Sequence, residues 1–573
     1  MYIFYNILKS GNALLAIGIL LYSIILVCVY SFFEKMNKRK IHCFLAMVPS
    51  LFVIIHFVCN RLHGNQGIVM TVFQLYLFLY IEALFPLVCV FFKKKKWLRI
   101  ILRTVVIVGT FAACTMFIIN LTSVSSVHNY TTLSWGESFE QTISVLKDEY
   151  VLKDWKKIDF DRLESEYLPR IVAAEEENDE GLYGAILTEF AYKCYDGHVY
   201  VSMDDELREK TKKYLAGNDY GFSMFQLDSG DVVAVCVDKN SKAYSAGIRN
   251  GTKIVNWNGD SIEIAVGAVK CIYPYLSFPV SENEDKFRAM FLAGKGDTEI
   301  TVSFVDENGR KQTVRLQAQG SYVERLDQAL NKFLSTNISN DNFSTKMLDD
   351  KCGYIRISRE SYRMVLDVVA VERKGYYPEL TNCYNDLLEN LCAKGMEYLI
   401  VDLRNNTGGY NCVAAAFASL FTDEKQISCA FGEEKDASYV ITDKEYIYPD
   451  GRWKNLPVII LVNQNCMSAG DGFAYMMSKY DNVAIAGITT SNGVNQNNGG
   501  YCFLSDNKAV LAYPNYLTLS ENGEPLIDTD FSRKTNIPLD LKIPMDEKAV
   551  RMVFDSDVDY ELAYILEYMK DYK

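Results

Sequence analysis

Two short stretches constrain this chain more than any other feature. The first runs Tyr398-Leu-Ile-Val401 and then Asp402-Leu-Arg-Asn-Asn-Thr-Gly-Gly409. The second runs Val458-Ile-Ile-Leu-Val462 and then Asn465-Cys-Met-Ser468-Ala-Gly-Asp-Gly-Phe473. Each opens on a short apolar run that reads as a buried strand, and each closes on glycine or other small residues. A glycine pair at a strand end lets backbone N–H groups come close to a ligand. A small-residue turn that opens into a helix can hold a serine with its hydroxyl exposed. Placed at the edge of one sheet, the two stretches would supply an oxyanion-binding turn and a nucleophile.

The neighbouring sequence fits such a sheet. Gly353-Tyr-Ile-Arg-Ile357 and Val483–Ile488 read as further strands, and residues 379–395 read as a helix. Strands that alternate with helices predict an α/β core with at least some parallel pairing.

The apolar residues are unevenly spread, and nearly all the long apolar runs lie in the first 122 residues. Four segments there are long enough to span a bilayer: Asn12–Phe33, His42–Cys59, Gly67–Phe92 and Leu98–Leu121. Four successive spans argue against a cleaved signal peptide. Lysine and arginine crowd the loops Glu34–Lys40 and Lys93–Arg99, whereas Asn60–Gln66 holds only Arg61. That bias places the N-terminus and everything after about residue 122 outside the cytoplasm. His56 and Glu82 lie within the expected spans, where hydrogen bonding between helices is the favoured reading. A net charge of −13 weighs against nucleic acid as a partner. No C-x-x-C pair occurs among the fifteen cysteines, so a zinc knuckle is not indicated. An outside location permits disulfides, with connectivity left open. Cys412 and Cys466 sit beside the two motifs without an assigned bond.

Residues 123–135 read as a Ser/Thr-rich linker, and Trp135–Cys194 carries helical spacing interrupted at Pro169. The run Ala243-Tyr-Ser-Ala-Gly-Ile-Arg-Asn-Gly-Thr-Lys-Ile-Val-Asn-Trp-Asn-Gly259 resembles the signature of a PDZ domain. In that resemblance Tyr220, Gly221, Phe222 and Ser223 stand where a PDZ domain binds a peptide carboxylate. The paired strand-and-turn motifs resemble those of the C-terminal processing (tail-specific) and tricorn-type serine peptidases. Their pattern is a strand, D-L-R-x-N-x-G-G, a second strand and a serine in S-A-x-[ED]. The resemblance extends over about residues 135–560, and Gly353-Tyr-Ile-Arg-Ile357 and Asp196-Gly-His198 match it too. Asn536-Ile-Pro-Leu-Asp540 departs from the family's G-I-x-P-D.

The whole reading is a multi-domain chain. It has four N-terminal transmembrane helices (1–122), a linker (123–135), a helical cap (136–215), a PDZ-like β domain (216–320) and an α/β peptidase core of the ClpP/crotonase type (321–573). The resemblance implies Ser468 as nucleophile. One branch of the family activates its serine with a lysine about 25 residues later, but here that stretch is Gly487–Gly493, with no lysine between Lys479 and Lys508. The tricorn-like branch uses a histidine between cap and core, and His198 matches that place. Of five histidines, only His128 and His198 lie beyond the first 122 residues. A neutral imidazole suits general-base work. The third residue would come from Glu521, Glu524, Asp528 or Asp530, with Glu524 preferred. The oxyanion donors would be the N–H of Gly409 or Gly408 and that of Ala469. Asp402 and Arg404 would shape the glycine turn, and Asp471 would be structural.

The function so implied is a membrane-anchored, extracytoplasmic serine endopeptidase of a bacterial cell membrane, working through an acyl-enzyme. Its substrate would be a polypeptide, recognised at its C-terminus by the PDZ domain, with the lipid bilayer as the other contact. Neither a cofactor nor a metal is expected. A catalytically inactive peptide-binding scaffold on a degenerate peptidase fold is the alternative.

Overall fold

Parallel pairing places the ends of the two motif strands side by side. Tyr398–Asp402 lies between Cys352–Ile357 and Val458–Leu461, parallel to both, with Asp402 opposite Leu461 and Arg356 opposite Asp402. Val483–Gly487 and Leu541–Lys542 extend the sheet in parallel, and Phe343–Met347 closes the other edge antiparallel. Tyr398–Asp402 and Val458–Leu461 are buried at every position, as strands covered on both faces require. Helices Pro378–Cys392, Asn411–Ser419 and Ala469–Met477 follow strands of this sheet in the chain. The expected α/β core with parallel strands is present.

The computed structural model describes residues 126–335, 343–360, 377–435, 438–556 and 558–571. Two compact units are distinguished, Met1–Asn129 and Tyr130–Lys573. In the first, the described part is the four-residue strand Ser126–Asn129. One part of the fold expected from sequence is corrected. Among the described residues, no helix is long and apolar enough to cross a membrane. Phe160–Glu176 has 17 residues, and seven of them are charged. The four segments expected to form membrane helices lie outside the described residues.

The second unit begins with the helices Trp135–Glu149, Phe160–Glu176 and Glu180–Lys193. Their starts are written locally. Ser134 and Glu137 form a capping box, and the Asp159 and Asp179 side chains accept the N–H of Arg162 and Leu182. Phe190 packs edge-on against Phe139 and Tyr167, with ring centroids 5.1 and 5.8 Å apart. Pro169 does not interrupt this bundle as expected. The helix runs through it, with the fully buried Tyr167 and Ile171 on either side. The cap is fastened to the core by strand Tyr200–Met203, which pairs antiparallel with Ala509–Leu519. Asn497–Phe503 and Gln426–Lys435 flank Ala509–Leu519 in that sheet.

An antiparallel sheet follows in the order Ser223–Gln226, Val232–Val235, Lys253–Trp257, Glu299–Val305, Lys311–Gln317. Its edge strand Ser223–Gln226 is not open. Phe225 lies against Phe333 and Phe554 at 5.0 and 5.5 Å between centroids, so helices Val323–Phe333 and Glu547–Asp555 cover it. One hydrophobic core therefore runs from this sheet into the α/β core, across the boundary drawn at 320. The ten cysteines in the described residues are free thiols, including the buried Cys412 and Cys466.

A buried ion cluster locks the first motif. Arg404 is fully buried and places its guanidinium among three carboxylates: Asp402 at 2.7 Å, Asp559 at 2.6 Å and Glu561 at 2.9 Å. Tyr354 and Arg356 also donate to Asp402, at 2.8 and 3.2 Å. Burial alone would raise the Asp402 carboxyl, but the Arg404 charge outweighs it and holds Asp402 below its ordinary range. Removing one member strands buried charge, so Arg404→Ala should cost about 3–5 kcal/mol in a denaturation experiment on the full chain. A loss under about 1 kcal/mol would contradict this role.

Candidate active site

Ser468 stands between the end of strand Val458–Leu461 and helix Ala469–Met477, in a left-handed conformation with φ 60° and ψ −128°. Such a backbone costs a non-glycine residue on the order of 1–3 kcal/mol and is maintained only by surrounding contacts. Those contacts are visible. The Ser468 N–H donates to the Val494 carbonyl at 3.0 Å, and its carbonyl accepts from Gly472 at 3.0 Å. The side chain makes no helix-capping bond, which leaves Oγ to face the cleft.

The glycine turn lies directly against this serine. A Cβ on Gly408 would stand 2.6 Å from Ser468 Cβ, 3.0 Å from its Oγ and 2.9 Å from the Ala469 nitrogen. Only glycine permits that approach, and φ of +85° at Gly408 demands it independently. Of the three expected oxyanion donors, one is already engaged. The Gly408 N–H donates to the Asn406 side-chain oxygen at 2.8 Å. The Gly409 N–H takes no part in the bridge to Glu360, which uses the Gly408 carbonyl and the Tyr410 N–H. Ala469 is the first residue of its helix, where an N–H has no intrahelical acceptor. Neither the Gly409 nor the Ala469 N–H is used by these bonds.

His198 follows helix Glu180–Lys193 in the turn Tyr195-Asp196-Gly197-His198. The Asp196 carboxylate accepts the His198 backbone N–H at 2.8 Å and the Tyr150 hydroxyl at 2.8 Å. Gly197 lets the turn sit on the serine loop. A Cβ there would stand 2.4 Å from Asn492 Oδ1 and 3.0 Å from Ser277 Oγ, and the Asn492 N–H donates to the Cys466 carbonyl. His198 and Ser468 line one cleft of about 780 Å³, with Thr407, Gly408 and Gly409 in the same wall. Burial lowers the His198 pKa below its ordinary value, against the charge of Asp196 and with that of Lys156. The imidazole is therefore held neutral near pH 7.

Glu524 is not at this site. It is exposed in the turn closed by Ser520, and it does not line the cleft. The buried acid is Asp528. Its Oδ2 accepts from the Asn495 N–H at 3.0 Å and from Gln496 Nε2 at 2.8 Å. Burial and the neighbouring Asp196 charge raise its pKa. None of Glu521, Asp528 and Asp530 enters the cleft lining either, and Asp528 differs from the others in being buried. Lys156, invisible as a site residue in the sequence, is buried and ties the cap to this segment. Its ammonium donates to the carbonyls of Tyr195 and Thr529 at 3.0 and 2.8 Å. Asp471 is fully buried beneath the serine loop. Its carboxylate receives the Gly493 and Val494 N–H groups, which fixes the carbonyl that holds Ser468. Burial pushes Asp471 up to about 7.

The four residues expected to bind a peptide carboxylate are buried instead. Tyr220, Phe222 and Ser223 are fully buried, and Gly221 with them. The Gly221 N–H donates to Asp219, which Arg325 grips at 2.8 and 2.9 Å, and Ser223 Oγ accepts from Tyr322. The chain's own carboxylate occupies the donor that a ligand would need.

Residues 351–533 match the profile described as Peptidase family S41. This stretch is an S41 peptidase domain. The chain is 21% identical over 287 residues to a probable CtpA-like serine protease of Staphylococcus aureus (strain N315), covering 49% of this chain and 47% of that protein. It is 30% identical over 97 residues to a probable CtpA-like serine protease of Staphylococcus epidermidis, covering 17% of this chain and 19% of that one. The chain thus spans about half the length, or less, of these curated relatives. A crystal structure of mature CPAF superposes with a TM-score of 0.50 at 14% identity, covering 76% of this chain and 96% of that chain, which is a likeness of fold. The S41 domain contains Ser468, the glycine turn and Asp528, while His198 comes from the cap that precedes it.

Glu360, at the start of the S41 domain, supplies a test of this geometry. It is fully buried, accepts from Asn406 Nδ2 at 2.8 Å, and bridges Gly409 by its backbone. Burial pushes its pKa up to about 8. A carboxyl raised in the folded state makes its full contribution below the unfolded pKa, and that contribution is lost as pH rises through the folded value. Glu360→Gln should therefore match wild type in denaturation midpoint near pH 5 and exceed it at pH 8. An equal difference at both pH values would place the titrating group elsewhere.

Proposed function

We propose that this chain is a serine endopeptidase of the Ser–His kind that cleaves polypeptides through an acyl-enzyme. The observation that carries the reading is the strained Ser468, set beside Gly408 and the first N–H of its helix, in one cleft with a buried neutral His198. In this mechanism His198 takes the Ser468 proton as Oγ attacks the substrate carbonyl. The oxyanion forms against the N–H groups of Gly409 and Ala469. His198 then returns the proton to the leaving amine, and water releases the acyl group by the same route. The Asp196 charge favours the protonated imidazole at the moment of transfer. The place where a Ser–Lys enzyme carries its base is Gly493, with φ +81° and Val280 Cγ2 only 3.0 Å from a Cβ, so a lysine there would be strained. With Tyr220, Gly221, Phe222 and Ser223 in the core, substrate selection is assigned to the cleft rather than to a carboxylate loop.

The test is a fluorophosphonate probe with mass spectrometry of the adduct, alongside cleavage of an unfolded protein substrate. Wild type should label at Ser468, and Ser468→Ala or His198→Ala should lower kcat by about 10⁴-fold or more. Asp528→Asn should lower activity far more than Glu524→Gln. Because the His198 pKa is depressed, the acid limb of kcat/KM should fall below about pH 6.5. Cleavage that persists in His198→Ala, or an acid limb above pH 7, would overturn the assignment of the base.

A further inference from the structure

Thirteen non-glycine residues among those described have positive φ, and only two of them are aromatic, Tyr195 and Tyr275. Both line the cleft that holds Ser468. The conformation of Tyr195 has a local explanation. It stands just past the end of helix Glu180–Lys193, where a left-handed residue commonly closes a helix. Its ring lies beneath the Arg533 guanidinium at 4.0 Å.

Tyr275 has no such explanation. It is the third residue of the turn Tyr273-Pro274-Tyr275-Leu276, closed by the Leu276 N–H on the Tyr273 carbonyl at 3.2 Å. Proline second and positive φ third is the type II pattern, and its third position is glycine's place. Here φ is 62° on a tyrosine. The strain is not offset by burial, because Tyr275 is 56% exposed. Its hydroxyl meets the Met203 N–H at 3.4 Å and the Arg208 guanidinium.

The turn itself is firmly held. Tyr273 donates to Asp327 at 2.9 Å, Asn492 donates to Ser277 Oγ at 3.3 Å, and Arg533 donates to the Phe278 carbonyl at 2.6 Å. A strained, solvent-facing ring is thus presented to the cleft by an anchored loop. Around it the wall is aromatic: Tyr192, Tyr195, Tyr273, Phe278 and Tyr501 line the same space. Strain kept at a site without a packing return points to a task in binding.

We propose that Tyr275 is a specificity-determining residue, whose ring forms one wall of a subsite for a bulky aromatic or apolar side chain of the substrate polypeptide, beside the bond presented to Ser468. This rests on the peptidase reading above. The aromatic ring supplies contact area and offset or edge-on packing to a substrate ring, and its fixed turn removes the cost of ordering the wall on binding.

The experiment compares full-length wild type, Tyr275→Gly, Tyr275→Phe and Ser468→Ala. The readouts are kcat and KM for a matched peptide pair, one with phenylalanine and one with alanine at the subsite position, that position being located by mass spectrometry of cleavage products from a mixed peptide pool. Fluorophosphonate labelling at Ser468 is the second readout, since a small probe reports the nucleophile and base without filling the subsite. Tyr275→Gly suits the turn, so its thermal midpoint should equal or exceed that of wild type. Its labelling rate should stay within about 2-fold of wild type, while kcat/KM falls about 10-fold or more for the phenylalanine peptide and little for the alanine peptide. Tyr275→Phe should keep the preference, which separates the ring from the hydroxyl bond to Met203. Equal changes for both peptides, or no change, would overturn the subsite while labelling still upholds the Ser–His machinery. Failure of wild type both to label and to cleave would overturn the peptidase reading and this subsite with it.

Discussion

The buried Arg404 guanidinium is the interaction on which the catalytic half of this molecule depends. It lies two residues after Asp402, at the point where the central strand ends and the glycine turn begins. Its fork grips Asp402 on one side and Asp559 with Glu561 on the other. The C-terminal helix, the strand end and the glycine turn are therefore one electrostatic unit. An arginine can do this because its planar fork satisfies several carboxylates at once. With that unit in place, the neighbouring parallel strand delivers Ser468 against Gly408, and no separate device is needed to bring the serine and the glycine turn together.

The same economy governs the histidine. The turn that carries His198 is braced from three directions: the cap through Tyr150, the serine loop through Asn492, and the segment after Asp528 through Lys156. Charge near the site is kept scarce by burial. Asp471 and Glu360 are pushed toward neutrality at pH 7, so they act as hydrogen-bonding braces more than as fixed charges. A neutral, desolvated imidazole beside a hydroxyl is the state in which a proton can move between them.

Much of this arrangement was legible in the chain. The strand-then-small-residue pattern carries the parallel core and the glycine turn that lies against Ser468, because backbone chemistry of that kind is local and leaves local marks. The absence of lysine between Lys479 and Lys508 and the scarcity of histidine point to His198, which lines one cleft with Ser468. Glu524, preferred from the sequence, is exposed, and Asp528 is buried. The surrounding letters hold the reason: Glu524 lies between Gly523 and Pro525, a turn context, whereas Leu526 and Ile527 lead Asp528 into the interior. The carboxylate loop was misjudged for a different reason. Tyr220 and Phe222 pack on Trp257, Arg325 holds the Asp219 that takes the Gly221 N–H, and Tyr322 bonds Ser223, all distant in sequence, and no window around residue 220 can reveal them. Lys156 escaped notice likewise, since a buried lysine between two carbonyls looks like any surface lysine in a list of letters. The helical cap was legible by its spacing, but Pro169 proved compatible with a continuous helix because tertiary packing on both flanks outweighed one lost backbone bond.

The separation of Ser468 and His198 along the chain has a consequence for the cell that makes this protein. His198 is translated hundreds of residues before Ser468, and the strand that follows it is secured only when Ala509–Leu519 arrives to pair with it. Long-range pairings of this kind form late, after the loop between them has been closed. A partly synthesised or partly collapsed chain therefore contains each side chain without the other. On the proposed reading, the chain's own topology delays chemical competence until that pairing has formed.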